Sequence, residues 1–225
     1  MLYAFGDSYT FGQGLPDIGD RMFGPPEDTS KMAWPSHLAK LLDTEVENHS
    51  HGGASILHIT KLFLDVHHKI KPGDIVVVAW TYFDRWSIID EFSNKVVNLL
   101  PNMQRGDPSQ PILAEYQPFT NDKHKVEMFC MLSTLIASLC ELKGAKFYQR
   151  ALERFDLWDL KRYKPNWYNL YIPPNGMLAV NGRTDRIDKL TGLKIEKLPD
   201  LHNNEDTHIW WAHVIHRQIL RNVSY

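Results

Sequence analysis

Short apolar runs alternate along this chain with longer stretches of helical spacing. Residues 2–5 (Leu-Tyr-Ala-Phe) run directly into a glycine-containing turn, the pattern of a buried parallel strand. A polar loop holding Pro16, Gly19, Gly24, Pro25 and Pro26 covers residues 12–32. Helical spacing begins at Ala33, with Pro35 where a first-turn proline belongs. Residues 45–48 read as a short strand, and 55–70 as a helix closed by Lys71-Pro72-Gly73. Residues 74–80 (Asp-Ile-Val-Val-Val-Ala-Trp) are the clearest buried strand in the chain. A long helix is predicted over 121–143, with Val126, Phe129, Met131, Leu132, Leu135, Ile136, Leu139 and Leu142 on its inner side. Gly144 ends it and a strand follows at 145–149. The last predicted helix covers 209–222.

Strands alternating with helices imply a parallel sheet covered on both faces. The expected architecture is a single α/β domain over residues 1–225, a three-layer α/β/α sandwich of flavodoxin-like type with a mostly parallel, five-stranded sheet. Residues 151–201 are rich in Trp, Tyr, Pro and Asn without a stable period and read as an irregular insertion.

Composition narrows the functional classes. Of 225 residues 43% are hydrophobic, enough for a core, and the formal net charge is -2. Lys and Arg are scattered without a basic run, which argues against a nucleic-acid partner. No stretch reaches the length of a membrane span, and the first residues lack the basic and apolar regions of a signal peptide. A cytoplasmic protein is therefore expected. Cys130 and Cys140 fall in one predicted helix, where ten residues separate them by roughly 15 Å. They read as free, buried thiols.

Candidate chemistry gathers just after the predicted strands, where open parallel sheets place their ligand sites. Ser8, in Gly6-Asp7-Ser8, sits at a strand-to-helix turn with backbone amides available for an oxyanion. Asn48 and the turn Gly52-Gly53-Ala54-Ser55 follow the second strand, and Gly53 offers a bare N–H. The third strand ends in Trp80-Thr81-Tyr82-Phe83-Asp84-Arg85, where Thr81 or Tyr82 can donate to an oxyanion and Asp84 can pair with Arg85. Glu205-Asp206-Thr207-His208 precedes the last predicted helix. A carboxylate two or three residues before a histidine on a loop can orient the imidazole that takes a serine proton.

In this order the pieces resemble the SGNH hydrolases, also called the GDSL family of esterases and lipases. Gly6-Asp7-Ser8 matches the family's first block, Asn48 with Gly53 its second, and Asp206 with His208 its last. The resemblance implies hydrolysis of a carboxylic ester, of a small molecule or a carbohydrate, through an acyl-serine intermediate and without a cofactor. Ser8 is then the nucleophile, His208 the general base and Asp206 its orienting acid, with Glu205 as the alternative. The Ser8 and Gly53 amides form the oxyanion hole, helped by Thr81 or Tyr82. Two features depart from the family pattern. The third block usually reads Gly-x-Asn-Asp, whereas no Asn stands at Trp80-Thr81-Tyr82-Phe83-Asp84. The Asp206–His208 spacing is also one residue shorter than usual, and Glu205 stands at the usual separation.

Two other classes compete. The missing Asn suits a catalytically silent module that binds a glycan or serves structurally. His208, His213 and His216 raise a metal reading, but no cysteine ligand or His-Glu-x-x-His pattern accompanies them, and no metal is expected.

Overall fold

The computed structural model describes residues 1–19, 21, 24–89, 96–99, 121–151, 160–170, 186–187, 193–195 and 202–221. The strands that the apolar runs predict are β1 (Leu2–Gly6), β2 (Val46–Ser50), β3 (Ile75–Trp80) and, later in the chain, Lys146–Ala151. A short antiparallel hairpin lies between them in sequence, β4 (Trp86–Ile89) with β5 (Val96–Leu99), so Lys146–Ala151 is β6. The order across the main sheet is β2-β1-β3-β6, every neighbour parallel. The sheet has four strands among the described residues, not the expected five. Most of the stretch 151–201 lies outside them; described within it are residue 151, residues 160–170, helical at 160–163, residue 193, and the two-residue pair β7 (Arg186–Ile187) and β8 (Lys194–Ile195). The expected irregular insertion therefore falls mainly outside the described residues.

Besides helical residues 160–163 and short 3-10 turns at Pro26–Asp28 and His67–Lys69, the strands are accompanied by α1 (Ser8–Phe11), α2 (Trp34–Leu41), α3 (Ile56–Val66), α4 (Asp122–Lys143) and α5 (Glu205–Leu220). The period of two along the strands divides the core between the two faces. Tyr3, Phe5, Val76, Val78 and Trp80 pack with Ile59 and Phe63 of α3 and with Val126, Phe129 and Ile136 of α4. Leu2, Ala4, Val77 and Ala79 face the other way, onto Trp34 and Leu38 of α2 and Trp211, Ala212 and Ile215 of α5. The result is the expected three-layer sandwich.

Two helices differ from their sequence reading. Along α4 the buried set is Val126, Phe129, Cys130, Ser133, Ile136, Ala137 and Cys140, a clean helical stripe. Met131, Leu135 and Leu142 are exposed, Leu142 at 83%. The stripe is turned toward the smaller residues because Ser133 reaches into the core, its hydroxyl donating to Gln149 Oε1 at 2.8 Å, where Trp80 Nε1 also donates at 2.9 Å. Both cysteines are free and buried, and burial pushes their thiols up to about 12. The final helix starts at Glu205, not 209. Asn204 caps it, its Oδ1 accepting from Thr207 N at 3.0 Å and from the Thr207 hydroxyl, and Glu205 and Asp206 put carboxylates at the positive helix end.

Asn204→Ala should lower stability by about 1 kcal/mol through loss of this cap, read as a lowered urea midpoint at unchanged slope. An unchanged midpoint would show that the helix start is set elsewhere.

Candidate active site

The carboxyl ends of β1, β2 and β3 lie side by side, since Gly6 pairs with Ser50 and Phe5 with Val78. Glycine is required at position 6, where a Cβ would stand 2.0 Å from Thr10 Oγ1 and 3.1 Å from the Ala79 carbonyl oxygen. The chain turns at Asp7, the N-cap of α1, whose Oδ1 accepts from Tyr9 N at 3.1 Å. Its Oδ2 accepts from the Thr81 hydroxyl and from Arg85 Nη1, both at 2.8 Å. The same Arg85 nitrogen donates to Thr81 Oγ1 at 2.8 Å, and the guanidinium lies over the Tyr82 ring. Arg85 therefore pairs with Asp7 and not, as the sequence suggested, with Asp84. Asp7 is 1% exposed, so this cation compensates a buried charge.

Ser8 follows Asp7 as the first residue of α1 and is 5% exposed. Among the described residues neither its hydroxyl nor its amide has a hydrogen-bond partner; the amide belongs to the first turn, where helices leave donors unpaired. Gly53 adopts φ +72°, in the left-handed region, and its N–H is likewise unpartnered among the described residues. The Gly53 loop is tied to the end of β1 by one bond and closed on itself by another. His51 N donates to the Gly6 carbonyl at 3.2 Å and Ala54 N to the His51 carbonyl at 3.1 Å. Asn48 fixes the other side, its Nδ2 donating to the Thr10 carbonyl at 2.8 Å. Thr81 is fully buried and gives its proton to Asp7, so that proton is not directed at an oxyanion.

His208 lies elsewhere than the sequence reading placed it. It is the fourth residue of α5 and 1% exposed, packed where α5 meets α2. Its Nδ1 accepts from Trp34 N at 3.1 Å. Trp34 opens α2 after Ala33, which provides no side-chain cap, so His208 satisfies an amide that would otherwise be orphaned. A backbone N–H can only donate. Neutral His208 must then carry its proton on Nε2, which leaves no ring lone pair to receive one from a serine. Burial, with the nearby His37 and His202, pushes it down to about 3, only partly opposed by Asp17. No hydrogen bond joins it to Ser8 among the described residues. Asp206 precedes it by two helical positions, a separation at which side chains do not face each other. The Glu205 carboxylate stands 3.8 Å from His37 Nε2.

His202, which is not among the residues of the family-like blocks, lies on the loop just before α5. It is partly exposed, and its ring centroid is 5.2 Å from that of Tyr9, the residue after Ser8. The sequence carried a signal for it. The same rule, a carboxylate two or three residues before a loop histidine, is met by Asp200 and His202 once Asn204 is taken as the helix cap. Asp200 itself lies outside the described residues. Among the described residues no group of three or more His, Cys, Asp or Glu side chains is placed to hold a metal ion, and no helix is long and apolar enough to cross a membrane.

No protein-family model matches the sequence, and no curated protein matches it in sequence. Solved structures do match in shape. An acetyl xylan esterase from the rumen bacterium Butyrivibrio proteoclasticus aligns with 98% of this chain at 14% identity and a TM-score of 0.51. The chain spans 63% of that protein's length. A lipolytic protein of the G-D-S-L family from Desulfitobacterium hafniense aligns with 96% of this chain and 97% of its own, at 13% identity and a TM-score of 0.50. A carbohydrate esterase whose active site is described as having divergent catalytic and non-catalytic binding functions aligns with 98% of this chain and 68% of its own, at 13% identity and a TM-score of 0.51.

The two most depressed histidines set a pH dependence of stability. His208 is pushed down to about 3 and His58 to about 4, both chiefly by burial. Unfolded, each titrates near 6.5, so the unfolded chain binds more protons as pH falls below that value. The stabilisation is complete above pH 6.5 and is lost as pH falls toward 4 and then 3. Between pH 6.5 and 5 each histidine should weaken the fold by about 2 kcal/mol, visible as a falling urea midpoint. His208→Asn keeps an acceptor for Trp34 N and should flatten part of that slope; an identical slope would exclude His208 as a source.

Proposed function

We propose that this chain, which has the fold of the GDSL (SGNH) esterases, is a serine hydrolase of carboxylic esters with Ser8 as nucleophile and His202 as general base. The observation that carries the reading is that an unpartnered serine hydroxyl and two unpartnered amides, those of Ser8 and Gly53, follow the carboxyl ends of the adjacent strands β1 and β2. His202 is chosen over His208 because its ring lies beside Tyr9, whereas the His208 ring nitrogen is committed to α2. Asp200 is the proposed orienting acid in place of Asp206 or Glu205. Ser8 Oγ attacks the ester carbonyl while His202 takes its proton. The Ser8 and Gly53 amides hold the oxyanion, and the protonated imidazole returns the proton to the departing alcohol. Water then repeats the sequence on the acyl-serine. Two of the structural neighbours are named as esterases of carbohydrates, which puts carbohydrate esters among the substrates to test.

A second reading, a binding module without turnover, is favoured by one observation. The family's third-block Asn is absent, and the Thr81 hydroxyl that stands there donates to Asp7. Loss of one oxyanion donor costs roughly a hundredfold or more in rate.

Wild-type protein should hydrolyse p-nitrophenyl acetate and react with a fluorophosphonate at Ser8. Ser8→Ala and His202→Ala should each lower kcat/KM by roughly 10⁴-fold, Asp200→Asn should be severely impaired, and His208→Asn should keep most of the activity. Wild type as inactive as Ser8→Ala across a broad ester panel, without labelling, would establish the binding module. Loss in His208→Asn with retention in His202→Ala would reverse the assignment of the base.

A further inference from the structure

We infer that the open-sided cavity between α3, α4, the segment after β3 and the β4–β5 hairpin receives an aliphatic chain of the substrate ester; the inference rests on the Ser8 esterase reading for its setting. The cavity measures about 220 Å³ and is walled by Leu57, Phe83, Trp86, Leu99, Met128 and Leu132. A cavity of this size holds several methylene-sized groups, more than an acetyl group needs.

The polar side chains at the cavity already have partners. Ser55 and Ser87 share a hydrogen bond of 2.6 Å, and Ser87 also donates to Asn98 Oδ1 at 2.6 Å. Arg85 is paired with Asp7 at 2.8 Å, and Lys125 Nζ stands 3.4 Å from Asp122 Oδ1. A sugar placed here would exchange water for walls with little to offer its hydroxyls, which is unfavourable. An alkyl chain loses nothing by the same move and gains burial.

Two links join the cavity to the reacting centre. Ser55 lies two residues after Gly53, and Arg85 is hydrogen-bonded to the residue preceding Ser8. The hairpin wall is held in place by Ser87 and Asn98, the latter also bonded to His58 Nδ1 at 3.1 Å.

The test uses two ester series on the wild-type protein: p-nitrophenyl acetate through decanoate, and ethyl through octyl acetate. In one of them kcat/KM should climb to the hexyl–octyl range, the acyl series if the chain belongs to the acid and the acetate series if it belongs to the alcohol. Leu132→Trp and, separately, Leu57→Trp fill the cavity and should cut the ratio of long-chain to short-chain kcat/KM by about tenfold or more, while leaving the shortest ester nearly untouched. A ratio unchanged by both variants in both series overturns the inference. Calorimetric binding of methyl octanoate and octyl acetate to Ser8→Ala tests the cavity without turnover. Binding of either ester that Leu132→Trp abolishes supports the assignment even if Ser8 proves not to be a nucleophile, and absence of binding by both overturns it.

Discussion

The carboxylate of Asp7 is a negative charge almost wholly removed from water, and the geometry around Ser8 follows from how that charge is satisfied. One oxygen accepts the Tyr9 amide and so starts α1 at Ser8; the other accepts the Thr81 hydroxyl and the Arg85 guanidinium. These bonds run between the ends of β1 and β3, adjacent strands of the sheet. Removing Arg85 would leave a buried, unpaired charge, a loss that typically costs about 3–5 kcal/mol. The same carboxylate fixes the serine turn and locks the end of β3. It is therefore a structural anchor for the Ser8 turn and stands outside the proposed proton relay.

The sheet and its layers were legible because strands buried on both faces produce apolar runs of distinctive composition, and each of the four strands read from sequence is present in the sheet. The inner face of α4 was less legible. Counting large apolar residues favoured Met131, Leu135 and Leu142, yet the side facing the sheet carries Ser133, Ala137 and two cysteines. A serine that meets a buried glutamine is indistinguishable in sequence from one that meets water. The β4–β5 hairpin escaped notice for a different reason. Its strands have four residues each, too short for a period-two signal to stand out.

The site shows how one helix boundary can redirect a chemical assignment. With the last helix starting at 209, His208 would be a loop residue with carboxylates at suitable spacing. With the start at Glu205, Asp206 and His208 diverge around a helix and His202 becomes the loop histidine. Local chemistry favours the earlier start, because asparagine followed by two acidic residues is a strong N-terminal signal. His208 then has a structural role that explains its burial as a neutral ring. It supplies the acceptor that Ala33 cannot give to the first amide of α2.

The absence of the third-block Asn has a physical counterpart in this cluster. A side-chain donor at the end of β3 could serve an oxyanion only if its proton were free, and the Thr81 proton goes to Asp7 because a buried carboxylate is the stronger acceptor. Arg85 then donates to the oxygen of the same hydroxyl, which polarises the Thr81–Asp7 bond and holds it more tightly. Oxyanion stabilisation in the proposed mechanism thus falls on the two backbone amides. Their orientation depends on the turn at Asp7 and on the left-handed backbone of Gly53. A hole of this kind has fewer donors but little freedom to lose, since both belong to backbone pinned by neighbouring strands. In the proposed mechanism such a hole suits esters whose leaving groups need little help and leaves substrate selection to the surfaces beside Ser8.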